Sequence, residues 1–326
     1  MTKKDAIEKF TNAMRLLRKS PRTIEVYTDW LGKYTDFIKI IPSDLPREEK
    51  INRFLTMLVN NKRVSATTQK QALCAIVRFF KWVIKEPVGD LDFAKSNRAK
   101  RLPSVFSRRE AWSILDRLNG PTWLWGAFMY GCGLRLEEVC NLRIKDIDLD
   151  RRQVMVREGK GNKDRMLPMP EMITKALEKH LRLLQDLHQE YKEKHIPVTL
   201  PDALDKKYPN APYSWEWFWL FPASGPCQDP RWPRALYHIH HSAVQKRIGA
   251  AIRAAKITKK ASCHTFRHSF ATHWLEGAEG SHEAALLRLQ RLMGHRDPKT
   301  TMIYLHLLKP KTDVPSPLDA RPAIAA

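Results

Sequence analysis

Toward the C-terminus of this 326-residue chain lies a run of groups suited to phosphoryl chemistry. Cys263-His264-Thr265-Phe266-Arg267-His268-Ser269-Phe270-Ala271-Thr272-His273 reads as a helix entry, where His264 and Arg267, three apart, share a face. Leu292-Met293-Gly294-His295 follows, then Pro298-Lys299-Thr300-Thr301-Met302-Ile303-Tyr304. Transfer at a phosphodiester builds charge on the non-bridging oxygens, which planar, bidentate arginine donors meet best. It also needs a nucleophile and a proton donor for the leaving oxygen. Many enzymes add Mg²⁺, which demands carboxylates; no carboxylate cluster stands out here, so a metal-free route gains weight. A lone histidine is more often structural, but so many ring-bearing and cationic groups close together in a basic chain are harder to dismiss.

Two regions of different texture must position these groups. Residues 1–86 read as mostly helical. Ile24, Tyr27, Leu31, Tyr34 and Ile38 form one apolar stripe after the Ser20-Pro21 start signal. After Ser65, Ala72, Ile76, Phe79, Phe80 and Val83 face inward, with Lys70, Arg78, Lys81 and Lys85 toward solvent. From Glu86 the periodicity breaks at Pro87, Gly89, Ser96 and Pro103, while Lys95, Arg98, Lys100 and Arg101 crowd together. Residues 87–105 therefore read as a basic interdomain linker able to lie along a phosphate backbone. Residues 106–310 form a larger, mixed domain, and 311–326 a Pro-rich tail. Within the mixed domain, 152–157 alternates as a strand and 164–169 as its partner, around the Gly-rich turn of Lys160 and Lys163. The expected fold class is thus mainly α with a small β-hairpin or sheet, α+β.

Residues 186–234 are a further peculiarity. Trp215, Trp217 and Trp219, at spacing two, put three indoles on one face of an extended segment. Such a face either buries aromatics in a core or offers a stacking platform to unpaired bases.

Composition narrows the classes. With 57 Lys+Arg against 35 Asp+Glu, the net charge is +22 and the pI about 9.9, so a polyanion is the expected partner, nucleic acid before an anionic membrane. No run approaches the ~18 apolar residues that cross a bilayer, and Met1-Thr2-Lys3-Lys4-Asp5 lacks the apolar stretch of a signal peptide. Five cysteines without a CxxC pair suggest neither a disulfide framework nor a zinc knuckle, and point to a reducing cytoplasm.

Taken together, His264-x-x-Arg267, Leu-Met-Gly-His295 and Thr-Thr-x-x-Tyr304 resemble the C-terminal signature of the tyrosine recombinases. Gly131-Cys-Gly-Leu-Arg135-Leu-Glu-Glu138 resembles that family's first arginine motif, and Gly-Lys160-Gly-Asn-Lys-Asp-Arg its hairpin lysine. The resemblance spans essentially the whole chain. It implies a helical, SAM-like core-binding domain at 1–86 and a catalytic domain at 106–310, closing as a C-shaped clamp on DNA. Ala203-Leu-Asp-Lys-Lys-Tyr-Pro-Asn-Ala211, the Trp-rich segment, Leu220-Phe-Pro-Ala223, His238-Ile-His-His-Ser-Ala-Val-Gln245 and Ser316-Pro-Leu-Asp319 resemble the integron integrases, whose extra segment would be about 186–234. The step from Arg267 to His295 is about five residues longer than the family norm, the excess falling at Glu279-Gly-Ser-His-Glu283, which is expected to loop out.

What the resemblance implies is as follows. Tyr304 attacks the scissile phosphate, leaving a 3′-phosphotyrosyl link and a free 5′-hydroxyl. Arg135, Arg267 and His295 hold the phosphoryl oxygens, Lys160 protonates the leaving oxygen, and His264 handles the tyrosine proton. Glu138 orients a catalytic group or sits on a solvated face. No metal or cofactor takes part. Lys95, Arg98, Lys100, Arg101, Lys163, Trp219, His240 and His241 contact DNA, the last three by holding unpaired bases. Zinc on His238, His240 and His241 is disfavoured, since no second ligand set is evident. The partners are a duplex attachment site, a folded single-stranded cassette hairpin and three further copies in a tetramer on DNA, in the bacterial cytoplasm at the nucleoid, with no membrane. The alternatives are a phage or Xer-type recombinase on duplex sites, or a catalytically impaired DNA-binding relative.

Overall fold

A computed structural model describes residues 2–97, 103–159, 163–201 and 203–305. The chain divides into two compact units, Met1–Arg101 and Leu102–Ala326. Both are mainly helical, and one three-stranded antiparallel sheet lies in the second.

The first unit packs α1 (Lys3–Leu16), α2 (Pro21–Phe37), α3 (Arg47–Asn60) and α4 (Ala66–Phe79), the last running on into a π turn, Phe80–Ile84. Ser20 and Ser65 cap α2 and α4, each side-chain oxygen accepting from a backbone N–H in the first turn at 3.2 Å. Phe10, Leu31, Tyr34, Ile51, Phe54, Leu55, Ile76 and Phe79 close the core. Arg78, expected in solvent, is half-buried against the rings of Tyr27 and Trp82. Residues 87–97, expected to begin a linker, are instead tied to this unit. Gly89 N donates to Glu48 (3.0 Å), Gln69 donates to the Ala94 carbonyl (2.7 Å), and Ser96 donates to that of Val64 (2.8 Å). Leu91 and Phe93 lie on its core. The periodicity ends at Pro87 because the strap is not helical, not because it is loose.

The second unit is built round α6 (Gly120–Gly131), apolar on all sides and therefore central. Around it stand α5 (Arg108–Leu115), α7 (Leu136–Cys140), α8 (Glu171–Glu193), α10 (His241–Ala254) and α11 (Cys263–Glu276). The sheet runs β1 (Ile147–Asp148), β2 (Gln153–Gly159), β3 (Lys163–Pro168), with Val154 opposite Leu167 and Val156 opposite Arg165. Val154, Val156 and Leu167 are buried on one face, and the register puts Arg165 on that same face.

Between α8 and α10 the chain is mostly irregular, with a short α9 (Leu204–Lys207), two 3₁₀ turns and isolated bridges. The helix α8 runs to Glu193, so the departure from regular structure begins after the expected 186. Trp215–Trp217 form a 3₁₀ turn, which disperses the three indoles expected on one face. Trp215 stacks on Phe218, Trp217 lies under Lys145, and Trp219 lies under Arg143. Finally α12 (His282–Met293) follows a turn through Gly280 (φ +87°), and α13 (Pro298–Met302) leads to Tyr304. Among the described residues no helix is long and apolar enough to cross a membrane.

Candidate active site

Where α6 ends, the chain turns sharply through Gly133 at φ +68°, a left-handed conformation suited to glycine. A Cβ there would lie 2.4 Å from the Phe270 ring, so the close crossing of α11 also requires hydrogen. Two residues on, Arg135 stands at the N-cap of α7, and Glu138 folds back over it. The Glu138 carboxylate accepts from Arg135 N (2.8 Å), Arg135 Nη1 (2.6 Å) and Arg165 Nη2 (2.6 Å). It is not on a solvated face. Burial alone would raise its pKa, but hydrogen bonds and charge from Arg165 and Arg135 overcome that and hold it at about 2.

Opposite this group ends α12. Gly294 caps it in the left-handed region (φ +60°), leaving the last carbonyls without helical donors, at the negative end of the helix. Three guanidiniums fill the gap. Arg165 Nε donates to Leu292 O at 3.0 Å, and Met293 O accepts from Arg267 Nη2 at 2.5 Å and Arg135 Nη2 at 3.3 Å. Arg267, 2% exposed, also donates to the Gly133 carbonyl. Burial draws its guanidinium down to about 9, still cationic at neutrality.

His295 follows the cap. Its Nε2 faces Arg267 Nη2 at 3.4 Å and its Nδ1 faces the buried Thr301 hydroxyl at 2.8 Å. Arginine can only donate, so Nε2 accepts and the Nδ1 proton points to Thr301. Burial, then the charges of Arg267, Arg135 and Arg165, hold this imidazole neutral at about 3. Tyr304 is buried, its ring parallel to His295 with centroids 6.3 Å apart. Its hydroxyl meets Nδ1 of His268 at 3.0 Å. Burial raises the phenol pKa, while Arg267 and Arg135 pull it back. His264 is exposed, its ring edge-on to His268 at 5.0 Å, so the hydroxyl touches the second histidine of α11 rather than the first.

Arg135, Arg267, His295 and Tyr304 thus converge, with His264 at the rim; Lys160 lies outside the described residues. Of the expected DNA contacts, Arg98, Lys100 and Arg101 lie outside them too, as does the side chain of Lys163, whose backbone opens β3. Lys95 is exposed on the docked strap. His240 caps α10 through its own Nδ1, and the exposed ring of His241 lies 4.1 Å from it. Trp219 is not available to a base: its indole is 5% exposed, donates to Leu236 O at 3.0 Å and is covered by Arg143 at 3.4 Å. Among the described residues no cluster of three or more His, Cys, Asp or Glu is placed to hold a metal ion.

Sequence reasoning passed over Arg165, His268 and Thr301. Arg165 carried a signal, a charge on the apolar face of an alternating strand. His268 and Thr301 stood inside the motif runs, next to Arg267 and within Thr-Thr-x-x-Tyr304, but neither residue type nor spacing assigned them a contact.

A helical bundle that presents two arginines and a histidine beside a buried tyrosine is the arrangement of a tyrosine-based phosphoryl-transfer enzyme. Residues 110–311 match the Phage integrase family, and residues 7–90 match the Phage integrase, N-terminal SAM-like domain, so the chain belongs to the phage integrase family and is a site-specific tyrosine recombinase. An integrase/recombinase of Escherichia coli is 36% identical over 324 residues, spanning 98% of this chain and 95% of that one. Tyrosine recombinase XerA of Thermococcus kodakarensis is 31% identical over 308 residues, 92% and 90% of the two chains. The fold is similar to that of the XerH site-specific recombinase bound to a palindromic difH substrate in a post-cleavage complex (TM-score 0.60, 20% identity, 88% of this chain and 76% of that one).

Proposed function

We propose that this recombinase is an integron integrase, which inserts and excises gene cassettes by cutting and rejoining folded single-stranded cassette sites and duplex attachment sites. The observation that carries the chemistry is the convergence of Arg135, Arg267, His295 and Tyr304 on the α12 terminus. Tyr304 Oη attacks the scissile phosphorus, and the P–O5′ bond breaks as the 3′-phosphotyrosyl bond forms. The two guanidiniums, already oriented by Glu138, Gly133 O and Met293 O, turn donors to the non-bridging oxygens. Such preorganised charge is worth about 10²–10³ in rate per donor. Lys160 protonates the 5′-oxygen, and His264 lies one ring from the phenol. The charge is met by fixed cations, so the scheme calls for no metal.

What supports the cassette reading is the segment between α8 and α10, whose motifs resemble those of the integron type, together with the exposed His240–His241 pair at the start of α10, which offers ring faces to an extruded base. The likeness to XerA favours a second reading, a recombinase of duplex sites. Four copies would act together. An apolar cleft of about 340 Å³ lined by Trp112, Trp123, Tyr130, Met172, Phe270 and Trp274 suits the segment beyond Tyr304 of a neighbouring copy.

The test is a denaturing gel of purified protein with a labelled, folded bottom-strand cassette hairpin, run with Tyr304→Phe and with EDTA. A covalent adduct that survives EDTA and vanishes in the variant is expected. A stronger adduct on duplex than on hairpin would overturn the cassette reading, and none on either would overturn the chemistry.

A further inference from the structure

We infer that His268, not His264, is the group that takes the proton from Tyr304 when the tyrosine attacks. The inference rests on the tyrosine reading above and adds a residue to it. His268 Nδ1 lies 3.0 Å from the phenolic oxygen, within the reach of direct proton transfer. In the Nε2–H tautomer the phenol donates to a bare Nδ1, the ground state of a general base. The alignment is fixed from both sides. His268 sits mid-helix on α11, next to the buried and hydrogen-bonded Arg267, and Tyr304 is anchored by its position just after α13, where its N–H donates to Thr301 O at 3.0 Å. His264 approaches the same cluster only through the edge of the His268 ring.

The groups facing His268 are His264 and Arg267 on its own helix, His295 from the turn after α12, and Tyr304. Burial, reinforced by His264 and Arg267, holds the imidazole at about 4, so it is free to accept a proton throughout the neutral range. The step balances. The Tyr304 proton moves to Nδ1, the Oη–P bond forms, and the P–O5′ bond breaks with a proton from the Lys160 ammonium. Rejoining runs the same transfers backward. The imidazolium so formed, beside Arg267, is an unstable holder, and the exposed His264 ring next to it gives the proton a way to water.

The test compares His268→Asn and His268→Ala with the wild type in single-turnover cleavage of a nicked suicide substrate from pH 5 to 9, with DNA binding checked by gel shift. Asn keeps an acceptor near the Nδ1 position but cannot serve as a base. A base role predicts that both variants bind normally and cleave about 10²–10⁴-fold more slowly at pH 7. Their rates should climb with pH where the wild type is flat, and added imidazole should restore the Ala variant in part. An Asn variant with the wild-type rate and pH profile would reduce His268 to a hydrogen-bonding prop, and faster cleavage by Ala would show that the contact parks the tyrosine. Either overturns the inference alone, because the wild type still gives its Tyr304-dependent adduct. Loss of that adduct in the wild type would take the tyrosine reading with it.

Discussion

Gly133 bears more on the site than its lack of a side chain suggests. Its carbonyl holds Arg267, its left-handed turn aims Arg135, and its bare Cα lets Phe270 pass. Gly133→Ala combines a strained φ with an unavoidable clash against a ring held by α11. The expected cost is roughly 2–4 kcal/mol, read as a lowered midpoint in urea, with cleavage lost even in whatever remains folded. A Gly133→Ala protein of wild-type stability would show that the turn relaxes freely. At this scale the sequence was legible where type and spacing both speak: Arg135, Arg267, His295 and Tyr304 come together. It was illegible where a backbone atom does the work, as the Met293 and Gly133 carbonyls do, because no residue type announces which oxygen a helix cap will expose. Glu138 shows the middle case. Its place on the Arg135 helix was plain, but only Arg165, arriving from another element, decides that it is an anchor.

Among elements, the irregular stretch between α8 and α10 departs most from expectation. A period of two predicted a flat face of indoles, but the Trp215–Trp217 turn breaks the extension between Ser214 and Phe218, which are themselves extended. Phe218, Trp219, Leu220 and Phe221 then enter the core together. Arg143 is the reason Trp219 turns inward: buried, it donates to Trp217 O (2.6 Å) and Thr199 O (2.7 Å) and covers the indole. Trp219→Ala should therefore cost about 3–5 kcal/mol of stability in the second unit, whereas His241→Ala, at an exposed position, should leave the melting temperature nearly unchanged and His240→Ala should cost only the α10 cap, about 1 kcal/mol, and both should weaken hairpin binding. A stable Trp219→Ala with a selective hairpin defect would reverse that assignment. The hairpin was easier to foresee. Alternation fixed β2 and β3 to within about two residues, while the two-residue β1 is too short to carry a pattern.

For the whole molecule, excess positive charge and buried neutral histidines set the response to acid. The two units have separate cores, so the second unit's transition is to be followed by itself. His268 and His295 are held at about 4 and about 3, so the unfolded chain takes up protons below about pH 6.5 that the folded one refuses, and stability falls as pH drops. Glu138, held at about 2 from an ordinary 4.5, contributes stability that is present above 4.5 and is lost as pH falls toward 2, in all roughly 3 kcal/mol. Denaturant titrations at pH 7, 5.5 and 4 should show this decline in the second unit. In Glu138→Gln the part of it below 4.5 should shrink. A wild-type midpoint constant from pH 7 to 4 would refute the burial of neutral imidazoles.

The cap at Gly294 has a consequence for how such chains vary. The end of α12 is pinned, since three arginines grip its last two carbonyls, while its beginning hangs from the turn at Gly280, where nothing packs within 4 Å of a Cβ. Residues can be added or lost at that slack end and the helix still finishes at the same place. Of the 28 positions from Arg267 to His295, most lie in α11 and α12, and a change in their number is taken up at the turn between these helices and the start of α12, while the contact across them stays at 3.4 Å. Evolution can lengthen this chain at Gly280 for other ends, such as a new surface, without retuning the chemistry.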